Sequence, residues 1–564
     1  MQRDLDQLTS TMFDLVVVGG GIYGACAAWE AARRGLSVAL IEQGDFGAAT
    51  SANSQKIVHG GFRYLQHLDI KRIRESVRER RRLMGLAPHL VRPMPVILPT
   101  YGRGLQSRAM MRLAGALYDA LSWDRNAGVR DPEQHIPQTR LLSRGECLER
   151  LPGLAPAGGT GAVVWHDGQI YNSERLTLAF VRAAADRGAC AANYLRVTNL
   201  LVRGGRVMGV RVEDRLTGAT GEVRGRVVMN TSGPWVNRTL GTDSGSAAPR
   251  VPMVKTVNIM INRVLADGYA FSVVHSASGA QGRGTPRRLF VTPWRQRTVI
   301  GSSHQWTDDG PDALTVTGQE IVGLLEHFNR AYPGAGVGPQ EVCFVHVGLM
   351  PHEDGNVTGD PAQLARHYRL IDHERAGGPT GLMTVIGVKY TTARDVAEKA
   401  IRLVLRKLGR SSAGDASPLP GGEMDRFNIW RSRLLASRPH GLDQDVLEQL
   451  TSNYGTDCRN VLRYIESDAS LKVRVASDSS VIRAQVIHAV REEMAQTLED
   501  VVLRRTELGT AGHPGNTALD ACAELMAREL HWDRARMAQE LDTVRETFRR
   551  LCPTAPEPAG VVGT

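Results

Sequence analysis

Residues 13–42 constrain the chain most: an apolar run, FDLVVV, leads into GGGIYG, then a small-residue segment, then SVALIE. This order predicts a βαβ unit that holds a nucleotide. Gly19 allows a tight turn after the first strand, Gly21 lets backbone approach a pyrophosphate, and Gly24 lets the following helix lie close on the sheet. The start of that helix offers free N–H groups to phosphate oxygens. Glu42 ends the second strand 18 residues beyond Gly24, where a carboxylate accepts ribose hydroxyls. An ordinary strand-to-helix turn requires neither the third glycine nor the acid, so a dinucleotide site is the expected reading.

At 564 residues the chain has room for roughly two to four domains. Its 59 glycines and 5% aromatic content suit an α/β protein with many tight turns better than a β-sandwich. A net charge of +10 favours anionic partners, but the basic residues are dispersed and no aromatic-basic motif accompanies them, so no specific nucleic-acid binding is expected. Seven cysteines, an odd number with no CxxC, point to a reduced, intracellular and so cytoplasmic protein. Cys26, inside the nucleotide helix, is expected to pack rather than react. No secretory signal is visible and no run approaches the roughly 20 apolar residues that span a bilayer, so membrane contact is expected to be peripheral if it occurs.

Beyond the nucleotide unit, residues 43–64 are rich in Gly, Ala and Ser and are expected to run over the cofactor. Residues 69–84 have helical period with a basic outer surface, expected to be solvated rather than lipid-bound. A strand is expected at 93–99, and a helix at 106–123 with Met110, Met111, Leu113, Leu117 and Leu121 on its apolar side. Arg203-Gly204-Gly205-Arg206 reads as a hairpin turn. Residues 250–350 alternate apolar strands and turns like an antiparallel sheet, with 278–284 as a loop. The organisation expected is a discontinuous nucleotide-binding domain at 12–410 with a substrate-binding insertion at roughly 241–345. A linker at 411–422, a helical domain at 423–550 and a disordered tail at 551–564 follow. His346 and His352, or His367 and His373, lack accompanying ligands at recognised spacings, so no metal is expected.

The segments GDFGAATSANSQKIVHGGFRYL (44–65), TSGPWV (231–236) and GVKYTTAR (387–394), with the fingerprint, resemble FAD-dependent glycerol-3-phosphate dehydrogenases of the D-amino-acid-oxidase-like superfamily. LPGG (419–422), NYG (453–455) and EDVVLRRTELG (499–509) extend the likeness to that family's accessory helical domain. The resemblance implies a non-covalent FAD and an α/β fold of glutathione-reductase type: a Rossmann domain, an antiparallel-sheet substrate domain and a C-terminal helical domain. It implies hydride transfer from C2 of sn-glycerol 3-phosphate to flavin N5, giving dihydroxyacetone phosphate, with electrons passing to quinone or, in oxidases, to oxygen. Peripheral attachment to the cytoplasmic face of the inner membrane and a homodimer are the associated alternatives for location and assembly. It places His59, Arg63, Tyr64 and Lys389 on the substrate face of the flavin. Gln43, Thr50, Ser51, Asn53, Ser54, Thr231, Gly233, Gly387 and Thr391 join the fingerprint residues around the cofactor.

Oxidising a secondary alcohol requires a base for the hydroxyl proton and, for a phosphorylated substrate, fixed positive charge. His59 suits the first need, Arg63 and Lys389 the second, and Tyr64 offers a hydrogen bond. Bland readings stand beside these: a structural donor in an HGG turn, a surface ion pair, a core tyrosine and a turn cap. One departure bears on the substrate. The family's phosphate-binding arginine in an SGVRPL-like strand end is Met350 here, and Arg287, Arg288, Arg295 or His352 are candidates to restore the charge. Another anionic hydroxy or amino compound is therefore the alternative substrate, and a flavin-bearing interaction protein without turnover the alternative class.

Overall fold

The structure, a computed structural model, describes residues 1–102, 104–154, 159–241, 250–275, 287–352, 364–415 and 417–552. The expected loop at 278–284 and nearly all of the expected tail lie outside them, as does the side chain of Arg287.

The opening apolar run forms the strand Met12–Val18, fully buried from Leu15 onward. It sits inside an eight-stranded sheet, parallel to Val38–Ile41 on one side and to Thr220–Asn230 on the other. A parallel strand covered on both faces needs no polar alternation, which is why the run is continuously apolar. The helix Ile22–Ala32 crosses between the first two strands, and its alanines share one core with the helices Ser173–Ala185 and Ala393–Lys407. The hairpin Leu195–Arg203 and Arg206–Asp214 extends the sheet, turning at Gly204 and Gly205, both with positive φ.

The second sheet has nine strands. Five come from Met253–Ile261, Ala270–His275, Arg287–Trp294, Arg297–Trp306 and Val342–Pro351. The other four, Ile57–Val58, Val91–Tyr101, Arg140–Leu142 and Gly159–Ile170, precede the expected insertion, so the substrate side is not confined to 241–345. The reason is backbone pairing: Ala270–His275 would be an open edge, and Val91–Tyr101 closes it through a parallel bridge. The strand expected at 93–99 is longer because it lies against Gly159–Ile170 over its whole length. His59 follows the edge strand Ile57–Val58 directly.

Two helices differ from their sequence pattern. The basic helix, Ile70–Leu86, is not simply solvated: Arg80 is fully buried, Arg74 and Arg81 pair with Asp124, and Arg78 pairs with Asp395. The next helix, Arg108–Leu121, turns much of its expected apolar side outward, with Met110, Leu113 and Leu117 exposed.

The helices from Phe427–Ser437 to Arg534–Leu551 form the C-terminal region, and part of their core is continuous with Met260, Trp294 and Phe344 of the second sheet. The segment expected as a linker is pinned, with Leu419 fully buried and its N–H donating to the Leu86 carbonyl. A π-helical turn, Asp500–Arg505, brings both Arg504 (2.7 Å) and Arg505 (2.6 Å) onto the buried carboxylate of Asp45.

Candidate active site

One cavity of about 850 Å³ runs from the glycine fingerprint to the second sheet. Gly19, Gly21, Glu42, Gln43, Thr231 and Gly233 line its nucleotide end. The N-cap of the helix Ile22–Ala32 is Gly21, which has no side chain, and apart from the Ile22 N–H, which Ser51 takes, the first turn is left to an anion. The Glu42 carboxylate accepts the N–H of Gly20 (2.6 Å) and of Gly44 (2.8 Å), which leaves a lone pair on each oxygen for a ribose. Burial pushes its pKa up, against the pull of those two N–H groups. Gly24 is not part of the wall. A Cβ there would lie 1.8 Å from the Gly19 carbonyl oxygen, so its role is to let helix and turn touch.

Thr50, Ser51, Asn53, Ser54, Gly387 and Thr391 line the middle. Ser51 accepts the Ile22 N–H at 2.9 Å and ties the loop to the helix start. Tyr23, which sequence reasoning passed over, fixes the opposite wall: its hydroxyl donates to the Lys389 carbonyl (2.8 Å) and accepts the Val388 N–H (3.1 Å). A bulky residue inside a glycine turn was the available signal. Gly387 is required because a Cβ would meet the Tyr23 ring at 2.1 Å.

At the far end stand His59 and Lys389. Thr391 accepts the His59 backbone N–H at 3.0 Å. The Lys389 ammonium lies 3.9 Å from the centre of the Tyr64 ring, and the Arg72 guanidinium 4.1 Å from it. Burial lowers the Lys389 pKa to about 7, with the charges of Arg72 and Arg63 adding to the effect. Arg63 is exposed and off the wall, yet its charge also depresses His304, which burial already holds at about 4, and reaches Arg288 and Tyr64. Among the described residues neither Lys389 nor Arg63 has a carboxylate in ion-pair contact. The result is a half-desolvated cationic corner facing a cavity. Thr256 and Asn258, missed from sequence, complete it from the second sheet together with Ser302 and His304. They come from strands whose pairing, rather than any motif, aims them inward.

A family model described as FAD dependent oxidoreductase matches residues 14–390, and one described as C-terminal domain of alpha-glycerophosphate oxidase matches 412–537. The human mitochondrial glycerol-3-phosphate dehydrogenase is 30% identical over 95% of this chain and 73% of its own. This chain belongs to the FAD-dependent glycerol-3-phosphate dehydrogenase family. A glycerol-3-phosphate dehydrogenase from Synechocystis is 29% identical over 98% of this chain and 99% of its own. The crystal structure of the Bacillus halodurans glycerol-3-phosphate dehydrogenase complexed with FAD shares the fold, with a TM-score of 0.76 at 23% identity over 98% of this chain and 97% of that one. The cofactor is FAD, and the residues present fit it: a glycine-turn helix start for the pyrophosphate, an acid for the ribose and a long cavity beyond.

Met350, which stands where the resemblance expects an arginine, lines the cavity beside Leu349 and Pro351. Of the candidates to replace that arginine, Arg295 turns away to Thr510 and Glu507. His352 packs tilted against Trp306, with ring centres 4.4 Å apart. Arg288 is the one whose charge couples to Arg63. Lys255 points to the other face, pairing with Glu320 at 2.5 Å.

Proposed function

We propose that the protein oxidises sn-glycerol 3-phosphate to dihydroxyacetone phosphate and passes the electrons to a quinone at a lipid surface. One observation carries this reading: the half-buried ammonium of Lys389 stands without a carboxylate in ion-pair contact among the described residues, at the same end of the cavity as the imidazole of His59, and the charge of the exposed Arg63 nearby adds to the pull on its pKa. Desolvated cations held without partners are costly unless a ligand brings the negative charge. A phosphate dianion does so at Lys389, and the charge of Arg63 adds to its attraction from outside the wall. Tyr64 holds the Lys389 side chain in place, and His59 takes the proton from the C2 hydroxyl. FAD supplies the acceptor for the hydride.

Quinone as acceptor is supported by the surface beside the second sheet. Leu105 (78% exposed), Leu113 (63%) and Trp123 (77%) project from the helix Arg108–Leu121 and its flanks, and Arg108 and Arg112 lie on the same helix. No helix among the described residues is long and apolar enough to cross a membrane. Co-sedimentation with anionic liposomes, abolished by a Leu113→Glu, Trp123→Glu double variant, is the expected result; unchanged sedimentation refutes the lipid contact.

The substrate is tested by adding sn-glycerol 3-phosphate anaerobically to the holoenzyme and following the flavin absorbance, which bleaches. Met350 favours a second reading, a different anionic hydroxy or amino compound, since a dianion deprived of one charge-assisted hydrogen bond binds about 1.5–3 kcal/mol more weakly. Bleaching by such a compound but not by glycerol 3-phosphate would establish it.

A further inference from the structure

Asp167 is a buried acid in the mostly apolar strand Gly159–Ile170, and each of its carboxylate oxygens meets one residue of the turn that carries His59. Its Oδ1 accepts the Gly60 backbone N–H at 2.5 Å and lies 3.4 Å from Nη1 of Arg80. Its Oδ2 accepts the Trp165 indole N–H at 3.1 Å and lies 3.7 Å from Nδ1 of His59. Arg80, fully buried, donates also to the His166 carbonyl and to the Tyr118 hydroxyl, and that hydroxyl donates to the Gly60 carbonyl. A Cβ on Gly60 would meet Arg80 at 2.0 Å and Tyr118 at 2.3 Å, so the turn is seated directly on this pair. The imidazole of His59, by contrast, keeps 37% of its surface and lines the cavity.

These contacts do more than hold a turn. Burial alone would raise the Asp167 carboxyl, but His59, Arg80 and the Gly60 N–H together keep it below its ordinary value and hence ionised. An ionised carboxylate beside Nδ1 selects the tautomer with the proton on Nδ1 and leaves the lone pair of Nε2 free. The groups that face this pair from other elements are Arg80 and Tyr118 from two helices, the uncharged Phe290 ring 6.1 Å from the imidazole and Lys389 at the cavity end, while Tyr64, whose hydroxyl feels the Asp167 charge, and the exposed Arg63 follow His59 in the same segment. His166 is the neighbour in the strand, held at about 4 by burial and by Arg80, and so neutral.

We propose that Asp167 is the positioning residue of His59: it accepts Nδ1–H, presents Nε2 to the substrate hydroxyl, and balances the charge formed when Nε2 takes the proton. The alcohol O–H bond breaks and its proton bonds to Nε2, the hydride leaves the same carbon for the flavin, the C–O bond becomes a carbonyl, and Asp167 itself gains no proton. This inference rests on the alcohol-oxidising reading above.

The test uses the holoenzyme with two readouts. The first is the pH profile of anaerobic flavin reduction by sn-glycerol 3-phosphate. The second is the tautomer of His59, read without substrate from ¹⁵N-histidine spectra and assigned by difference with His59→Gln. Asp167→Asn can keep the Gly60 contact through Oδ1 while it turns a donor toward His59. Reduction should then fall by about 10²-fold or more, the acid limb of the profile should move to lower pH by about one unit, and the Nδ1–H tautomer should be lost. Trp165→Phe, which removes the indole bond and trims a buried ring stacked on Phe62, should leave profile and tautomer in place even where it lowers stability. The double variant, freed of the Asn–Trp donor conflict, should repeat the Asp167→Asn result. Unchanged tautomer and unchanged profile in both Asn variants would overturn the proposal, even with a rate loss, because a purely structural residue lowers rate without moving either. If glycerol 3-phosphate leaves the wild-type flavin oxidised, the substrate reading fails separately and the tautomer decides this one.

Discussion

Affinity for a phosphorylated ligand should fall steeply with pH above neutrality, because Lys389 loses its charge there. Its ammonium is buried against Tyr64 and flanked by Arg72 and Arg63, and burial with those like charges brings its pKa down to about 7. A dianion pairs with the protonated lysine, so binding is complete below the free-enzyme pKa and weakens as pH rises through it. Half the lysine is charged at pH 7 and about 1% at pH 9, so drawing in a proton on binding costs a factor of about 50 between those values, or about 2.3 kcal/mol. Phosphate monoesters have their second pKa near 6, so the ligand's own charge barely changes over this range. The assay is the inhibition constant of glycerol 2-phosphate from pH 6 to 9.5. The logarithm of that constant should pass through a shallow minimum between about pH 6 and 7, where the phosphate becomes a dianion while the lysine is still largely charged, and climb with a slope approaching one above it. In Lys389→Arg, whose guanidinium stays charged, the climb should vanish. A wild-type curve that stays flat to pH 9, or one that Arg leaves unaltered, would refute the reasoning.

Gly24→Ala forces a methyl to within 1.8 Å of the Gly19 carbonyl oxygen, so the helix must shift off the turn; overpacking of about 1–3 kcal/mol and loss of flavin absorbance on gel filtration are expected. Asp45→Ala strands the buried Arg505 and leaves Arg504 to Asp500, and should cost about 3–5 kcal/mol in denaturant unfolding while loosening the C-terminal helices first, seen as early proteolysis beyond residue 419. The same carboxyl, which burial alone would raise, is held at about 2 by Arg505 and Arg504. Its contribution is whole above the unfolded value near 4 and lost as pH falls from there towards 2, about 2 kcal/mol in an acid titration that the Asp45→Ala protein should lack. Met350→Arg adds a guanidinium to the cavity wall. If glycerol 3-phosphate is the natural substrate, with Arg288 filling the gap, KM should change by less than about tenfold; a larger gain in kcat/KM would mean the native pocket serves another anion.

Much of the cofactor half could be read from residue order, because its physics is local. Gly19, Gly21 and Glu42 act within one strand-turn-helix-strand unit whose geometry follows from backbone freedom and hydrophobic period, so a single short stretch of chain suffices to place all three. The His59 and Lys389 segments were recognisable because their residue order resembles that of the family, and for Lys389 also because it follows the end of a strand, where open α/β sheets place ligands.

Other features depended on residues distant in sequence meeting in space. Asp167 looked like an ordinary acid in an apolar strand until Val91–Tyr101 and Ile57–Val58 paired with that strand and set it beneath His59. Tyr23 acquired its role only from the strand-end turn 365 residues away that its hydroxyl clamps. The helix Arg108–Leu121 has a clear apolar side, yet periodicity states only that a face exists, not that protein covers it, and here Leu113 and Leu117 are left to solvent. The linker was legible as composition, but its burial came from Leu86 and Tyr454, which no local pattern names. The sequence by itself determined the nucleotide-binding unit, the order of the elements and the chemistry available, because these rest on short-range sterics and period. Only the tertiary structure decided which charges gather at the cavity end and which acid orients the imidazole, because desolvation and ion pairing depend on what long-range packing brings within a few ångströms.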